Sequence, residues 1–147
     1  MLDINVLGSF NVAQAVAQSI IDSEKIDEEL QGDSGCIVMT SSYVSTDGQS
    51  GSVGYTASKG AISAMVLPMA RDLARYKIRV NAIAAGVFLT PINSAFVTEA
   101  TCCGEYPRRP GRPEEFSHLV QSLFENEMMN GAVVRQDAAL RGAISIE

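Results

Sequence analysis

A short apolar run, Cys36 to Thr40, and a second strand candidate, Ile78 to Ala84, stand on either side of a long segment from Val53 or Gly54 to about Tyr76. Within that segment Ile62, Val66, Met69 and Leu73 recur at helical spacing, on the same stripe as Tyr55 and Lys59. An unbroken apolar run suits a strand covered on both faces, and such strands belong to parallel sheets. Strand, helix, strand in this order implies a right-handed parallel crossover. A first helix is read from Leu2 to about Ser23, carried by Val6, Phe10, Ala13, Ala17 and Ile20. Pro113 to Glu125 reads as another helix, with proline suited to its first turn, and Ala132 to Arg135 as a last short strand. The fold class expected is α/β: about three parallel strands with flanking helices, in one domain over 1–147.

Between these elements, Glu24 to Ser34 is a charged loop. Ser45 to Gly54, with Gly48, Gly51 and Gly54, is a flexible loop on the substrate side. Pro91 to about Thr101 is expected to form a short helix, Cys102 to Arg112 a loop, and the tail after Asp137 an extended segment. Pro68 removes one backbone donor and should bend its helix.

In open α/β sheets, sites gather at the carboxyl ends of strands. Ser42 and Gly86 both fall there. Tyr55 and Lys59 are four residues apart, so on a helix they share a face. A cation within about 4–6 Å favours a phenolate, which lets a tyrosine exchange a proton with an alcohol or ketone oxygen. Ser42, thirteen residues before Tyr55, could hydrogen-bond the same oxygen and stabilise charge developing on it. Taken alone, Tyr-x-x-x-Lys more often marks a pair that merely decorates a helix surface.

The segments Gly35 to Ser42, Tyr55-Thr-Ala-Ser-Lys59 and Ile78-Arg-Val-Asn-Ala-Ile-Ala-Ala-Gly86, in that order, resemble the short-chain dehydrogenase/reductase family. The resemblance runs from about Met1 to Arg141. It implies the C-terminal half of a Rossmann-like doubly wound parallel sheet, with the last three of seven strands. It also implies catalytic roles for Asn5, Ser42, Tyr55 and Lys59, with Asn5 holding a water in a proton relay. Cofactor contacts are implied for Tyr55, Lys59, Ala85, Gly86, Phe88 and Thr90, the threonine meeting the nicotinamide carboxamide. Ala85 stands where the family usually has proline, and Ala138 replaces a common glycine after Asp137. Segments such as Leu67-Pro-Met-Ala-Arg-Asp-Leu-Ala74 and Asn130-Gly-Ala-Val-Val-Arg135 resemble members that act on 3-hydroxyacyl-CoA. The expected substrate is therefore a secondary alcohol or ketone, as 3-hydroxyacyl-CoA or hydroxysteroid. The expected cofactor is NAD or NADP, with NAD preferred.

The glycines lie at 8, 32, 35, 48, 51, 54, 60, 86, 104, 111, 131 and 142. No two are separated by a single residue, so the G-x-G-x-x-G turn that holds a pyrophosphate is absent. The first, nucleotide-binding half of the fold is missing from this sequence. The first strand would then lack its inner neighbour, and an unpaired apolar edge invites association. Two functions stay open: an oxidoreductase, or a catalytically inactive truncated remnant acting through subunit association. Homo-oligomer formation would use helices 2–23 and 54–76, the family's subunit contacts.

A formal net charge of −6 argues against a nucleic-acid partner, whose phosphates demand a basic face. Arg108, Arg109 and Arg112 form a small basic cluster, read as a solvated loop or as a contact for a CoA phosphate. Residues 4 to 21 carry no charge, but Asn5, Ser9, Asn11, Gln14, Gln18 and Ser19 are too many polar groups for hydrocarbon. That helix is expected to lie against a sheet and a neighbouring subunit rather than in a membrane. Cys36, Cys102 and Cys103, odd in number and without metal-ligand spacing, suit a reducing compartment. The expected location is intracellular, cytoplasmic or mitochondrial. No metal site is expected, since His118 has no second histidine to join it.

Overall fold

The computed structural model describes residues 1–23, 32–95, 97 and 104–141. Three strands form one parallel sheet in the order β1 (Gly35–Ser42), β2 (Ile78–Ala85) and β3 (Val133–Gln136). β1 and β2 run in register from Gly35 opposite Ile78 to Ser42 opposite Ala85. β3 lies beside the end of β2, from Ala82 opposite Val133 to Ala85 opposite Gln136.

Alternation along the strands explains the layering, because successive side chains point to opposite faces. Met39, Val80 and Ala82 face α3 (Val53–Leu73) and form the core with its Ile62, Val66 and Ala70. The helix continues into a single 3₁₀ turn, Ala74–Tyr76, and runs through Pro68, which lies on its exposed side.

On the other face, Cys36, Arg79 and Asn81 meet α4 (Pro113–Glu125) and the segment after it. Arg79 is buried and donates to the carbonyls of Leu123, Phe124, Asn126 and Met129. One strand side chain thus satisfies the carbonyls that a helix end leaves without partners. Asp33 pairs with the same guanidinium. At the other end of α4, the Glu115 carboxylate accepts from the Arg112 backbone N–H at 2.8 Å and from Arg109 at 2.7 and 2.8 Å. The Arg109 hydrogen bonds, then the Arg112 N–H, hold the Glu115 carboxyl down to about 2. Arg109 is therefore tied to the helix start rather than being a free solvated cation.

The N-terminal helix opens as a π-helical segment, Asp3–Gly8, and continues as α1 (Ser9–Asp22). Asp3–Asp22 has a mean hydropathy of 1.2 and is long and apolar enough, by length and composition, to cross a membrane. Its contact with the rest of the chain is narrow. Ala13 and Ala17 are buried, and Ile20 sits where a side chain on Gly35 would have to go. Ile4, Leu7, Val12 and Val16 are exposed. Of the contacts expected for this helix, the one with the sheet is made where Ile20 meets Gly35 of β1.

Three other expectations need correction. The loop read from Ser45 begins with a helical turn, α2 (Val44–Asp47). Residues 91–95 form a turn instead of the start of a helix. After β3 the backbone turns back, with Ala138 at φ 52° and Ala139 at φ 59°, and Leu140 N donates to Asp137 O at 2.9 Å. The extended tail is therefore absent over 138–141. Residues 24–31, the Cys102–Cys103 pair and the rest of the supposed helix beyond residue 97 lie outside the described residues.

Candidate active site

Ser42 and Ala85 are opposite one another as the last residues of β1 and β2. Ser42 is 6% exposed, and its hydroxyl oxygen accepts the Val44 N–H at 3.4 Å. That bond caps the strand as the chain turns into α2. The neighbouring Ser41 faces the other way. It donates to the Lys59 carbonyl at 2.9 Å and shares a 2.7 Å hydrogen bond with Ser63, tying the end of β1 to the first turns of α3.

Tyr55 and Lys59 are one turn apart near the start of α3. The Lys59 ammonium is 5.9 Å from the centre of the Tyr55 ring and donates to the Thr40 carbonyl at 2.8 Å. Burial pulls the Lys59 pKa below that of a free lysine, because the charged form loses water. Asn5 lies in the π-helical segment, a distortion often found at functional sites. It donates to the Ser58 hydroxyl at 3.0 Å, and Ser58 donates to the Tyr55 carbonyl at 2.7 Å. The first helix is thereby fixed to the backbone of the Tyr55 turn. Among the described residues no hydrogen bond joins Ser42 directly to the Tyr55 phenol.

The remaining candidates converge. Ala85, Gly86, Phe88 and Thr90 line one cleft of about 350 Å³ together with Thr40 and Asn93. Tyr55 and Lys59 are not among its lining residues, although Thr40, which holds the Lys59 ammonium, is. Gly86 donates to the Gln136 carbonyl at 2.9 Å, and a Cβ there would come within 2.7 Å of Asp137 Cα. The glycine is needed for that close passage of β3. Phe88 is fixed edge-on against Phe116, with ring centres 5.8 Å apart, and against Gly111, which has no room for a side chain. Thr90 is held through Asn93.

A second support ties together the segments that follow β1 and β3. Arg135 makes two hydrogen bonds to Asp47, at 2.7 and 2.8 Å, and one to Asp137 at 2.7 Å. This joins α2 to the exit of β3. The Arg135 hydrogen bonds hold the Asp47 carboxyl down to about 2. Sequence reasoning missed Ser41, Ser58, Asn93, Arg79 and the Asp47–Arg135 pair. Only Ser41 and Ser58 carried a signal, as serines adjoining the expected site positions.

Comparison with known proteins gives the family. The family described as short chain dehydrogenase matches residues 1–100. The chain belongs to that family. It is 42% identical over 146 residues to human 3-hydroxyacyl-CoA dehydrogenase type-2, covering 96% of this chain and 54% of the relative. The crystal structure of 3-hydroxyacyl-CoA dehydrogenase type-2 from Mycobacterium avium superposes with a TM-score of 0.85 at 34% identity, over 99% of this chain and 56% of that one. A structure of BdcA in complex with NADPH has a TM-score of 0.77 at 25% identity, over 99% of this chain and 57% of that one. The chain therefore spans about half the length of the relatives it matches. Its three parallel strands and flanking helices are part of a Rossmann-like fold.

Proposed function

We propose that this chain carries the proton-transfer and substrate-positioning side of a nicotinamide-dependent oxidoreductase. The substrate is a secondary alcohol or ketone of the 3-hydroxyacyl-CoA class. The observation that carries this reading is the gathering of Ser42, the Tyr55–Lys59 turn and the Ala85–Thr90 cleft at the carboxyl edge of one sheet. The cleft suits a flat aromatic amide: Phe88 supplies an apolar wall, Gly86 allows close backbone approach, and Thr90 offers a polar contact. When bound there, a nicotinamide ring supplies the hydride acceptor or donor. The G-x-G-x-x-G grip on its diphosphate is not in this sequence.

In oxidation, Tyr55 takes the proton from the substrate hydroxyl; in reduction it returns one to the carbonyl oxygen. Ser42 donates a hydrogen bond to that same oxygen, which bridges the two side chains. Lys59 holds a positive charge beside the phenol, with Thr40 fixing its position. Asn5 positions the Tyr55 turn through Ser58 and supports the proton relay. Either NAD or NADP meets these requirements, with NAD preferred.

The test is turnover of 3-hydroxybutyryl-CoA with NAD, followed by absorbance of the reduced cofactor. Tyr55→Phe should lose at least about a hundredfold in kcat while still binding cofactor. Equal rates for the two proteins would sink the assignment. A second reading, association without catalysis, is favoured by the exposed apolar residues of the first helix and by β1 having a partner on one side only among the described residues. Subunit contact through 2–23 and 54–76 is compatible with both readings.

A further inference from the structure

The Thr90–Asn93 pair sets the hydrogen-bonding sign of one wall of the cleft. Asn93 Oδ1 is 3.0 Å from Thr90 N and 3.1 Å from Thr90 Oγ1, and Asn93 Nδ2 is 2.7 Å from the Phe88 carbonyl oxygen. A backbone N–H can only donate and a carbonyl can only accept. The amide therefore has one possible orientation, with oxygen toward Thr90 and nitrogen toward Phe88, although oxygen and nitrogen are otherwise interchangeable in shape. Oδ1 has no hydrogen to give, so in this contact the Thr90 hydroxyl must be the donor. A hydroxyl has a single proton. What Thr90 has left for the cleft is lone pairs alone.

We propose that Asn93 is a positioning residue that makes Thr90 an acceptor-only contact, so that this wall selects a ligand group bearing an N–H and discriminates against its isosteres without one. The proposal rests on the reading that the cleft holds a nicotinamide ring. It adds a chemical consequence to it: the carboxamide is anchored through its NH₂ group, and Asn93, which lines the same cleft with its amide held between Thr90 and Phe88, decides this through Thr90. An acetyl group in place of the carboxamide keeps the carbonyl and the shape but puts a methyl where Thr90 requires a donor.

The experiment compares reduced nicotinamide mononucleotide with its 3-acetylpyridine counterpart, each titrated into the whole protein. Binding is followed by chemical-shift changes of the Thr90 and Gly86 amide signals. Mononucleotides serve because they do not depend on a diphosphate grip. The wild type should favour the carboxamide about tenfold, the effect of one hydrogen bond lost from a fitted site. Asn93→Ala frees the Thr90 proton for the carbonyl that both ligands share, and the preference should fall below about twofold. Thr90→Val, which keeps the shape and the Asn93–Phe88 contact, should lose the preference as well. Equal affinity of the wild type for the two ligands overturns this proposal alone. So does a tenfold preference that survives in Asn93→Ala. If the wild type binds neither mononucleotide, the nicotinamide reading of the cleft falls and the proposal falls with it.

Discussion

Replacing Ala138 by glycine should make the protein more stable, against the usual effect of adding a glycine. Ala138 has φ 52° and is followed by Ala139 at φ 59°. For an L-residue the left-handed region costs about 1–2 kcal/mol through the clash of Cβ with the carbonyl. Glycine avoids that cost but is freer in the unfolded chain, which takes back about 0.4–1 kcal/mol. The net expectation for Ala138→Gly is a gain of about 1 kcal/mol. The turn also carries packing. A Cβ built on Gly104 would lie 2.5 Å from Ala138 Cβ and 2.6 Å from the Ala138 carbonyl oxygen. Gly104→Ala should therefore destabilise. Ala138→Gly should rescue it only in part, since the backbone clash stays. Urea unfolding of the four proteins gives the values, provided the slope of the transition is unchanged. A loss of stability in Ala138→Gly of about 1 kcal/mol or more would refute the argument from backbone strain.

Other perturbations have equally definite outcomes. Arg79→Met leaves four carbonyls and Asp33 without their shared donor and should cost about 3–5 kcal/mol by urea unfolding, the scale for breaking a buried charged network. A cost under about 1 kcal/mol would contradict its role. Arg135→Gln should loosen α2 from β3, detected as faster amide exchange at Thr46 and Asp47; unchanged exchange would refute the clasp. Asp47 and Glu115 have depressed folded pKa values, so their stabilisation is complete above the ordinary carboxylate range. It is lost as pH falls from about 4 toward about 2. Thermal melts across that interval should show falling Tm, with the fall reduced in Asp47→Asn. β1 has a free side in the described sheet, so sedimentation should show concentration-dependent association. A monomer with a sharp cooperative melt would count against it.

The elements legible in the sequence are those whose signals are local. The apolar run of Cys36–Thr40 gives β1 to within about two residues, Ile78–Ala84 falls one residue short of β2, and the proline start marks α4 from Pro113 to Glu125. What the sequence did not reveal depends on particular side-chain partners, near or distant. The supposed helix after Pro91 gives way to a turn because the Asn93 side chain takes backbone groups of Thr90 and Phe88, competing with helical hydrogen bonds. Arg79 meets carbonyls over forty residues away, and Asp47 and Arg135 meet across the sheet edge. No spacing rule announces such pairs. Ala138 was noticed only as a departure from glycine, and its positive φ gives the physical reason a glycine suits the place. The places of Ser42, Tyr55 and Lys59 are legible from a strand end and the i, i+4 rule, whereas Asn5 enters through the family resemblance alone. Their fixing through Ser41, Ser58 and Asn93 is not legible.

The central claim is that Ser42 and Tyr55 act on a single substrate oxygen. Rates of 3-hydroxybutyryl-CoA oxidation for the wild type, Ser42→Ala, Tyr55→Phe and the double variant test it most directly. Residues that work as a unit are strongly non-additive. The double variant should be no slower than about the slower single one, whereas losses that multiply would mean that the two side chains act on separate events.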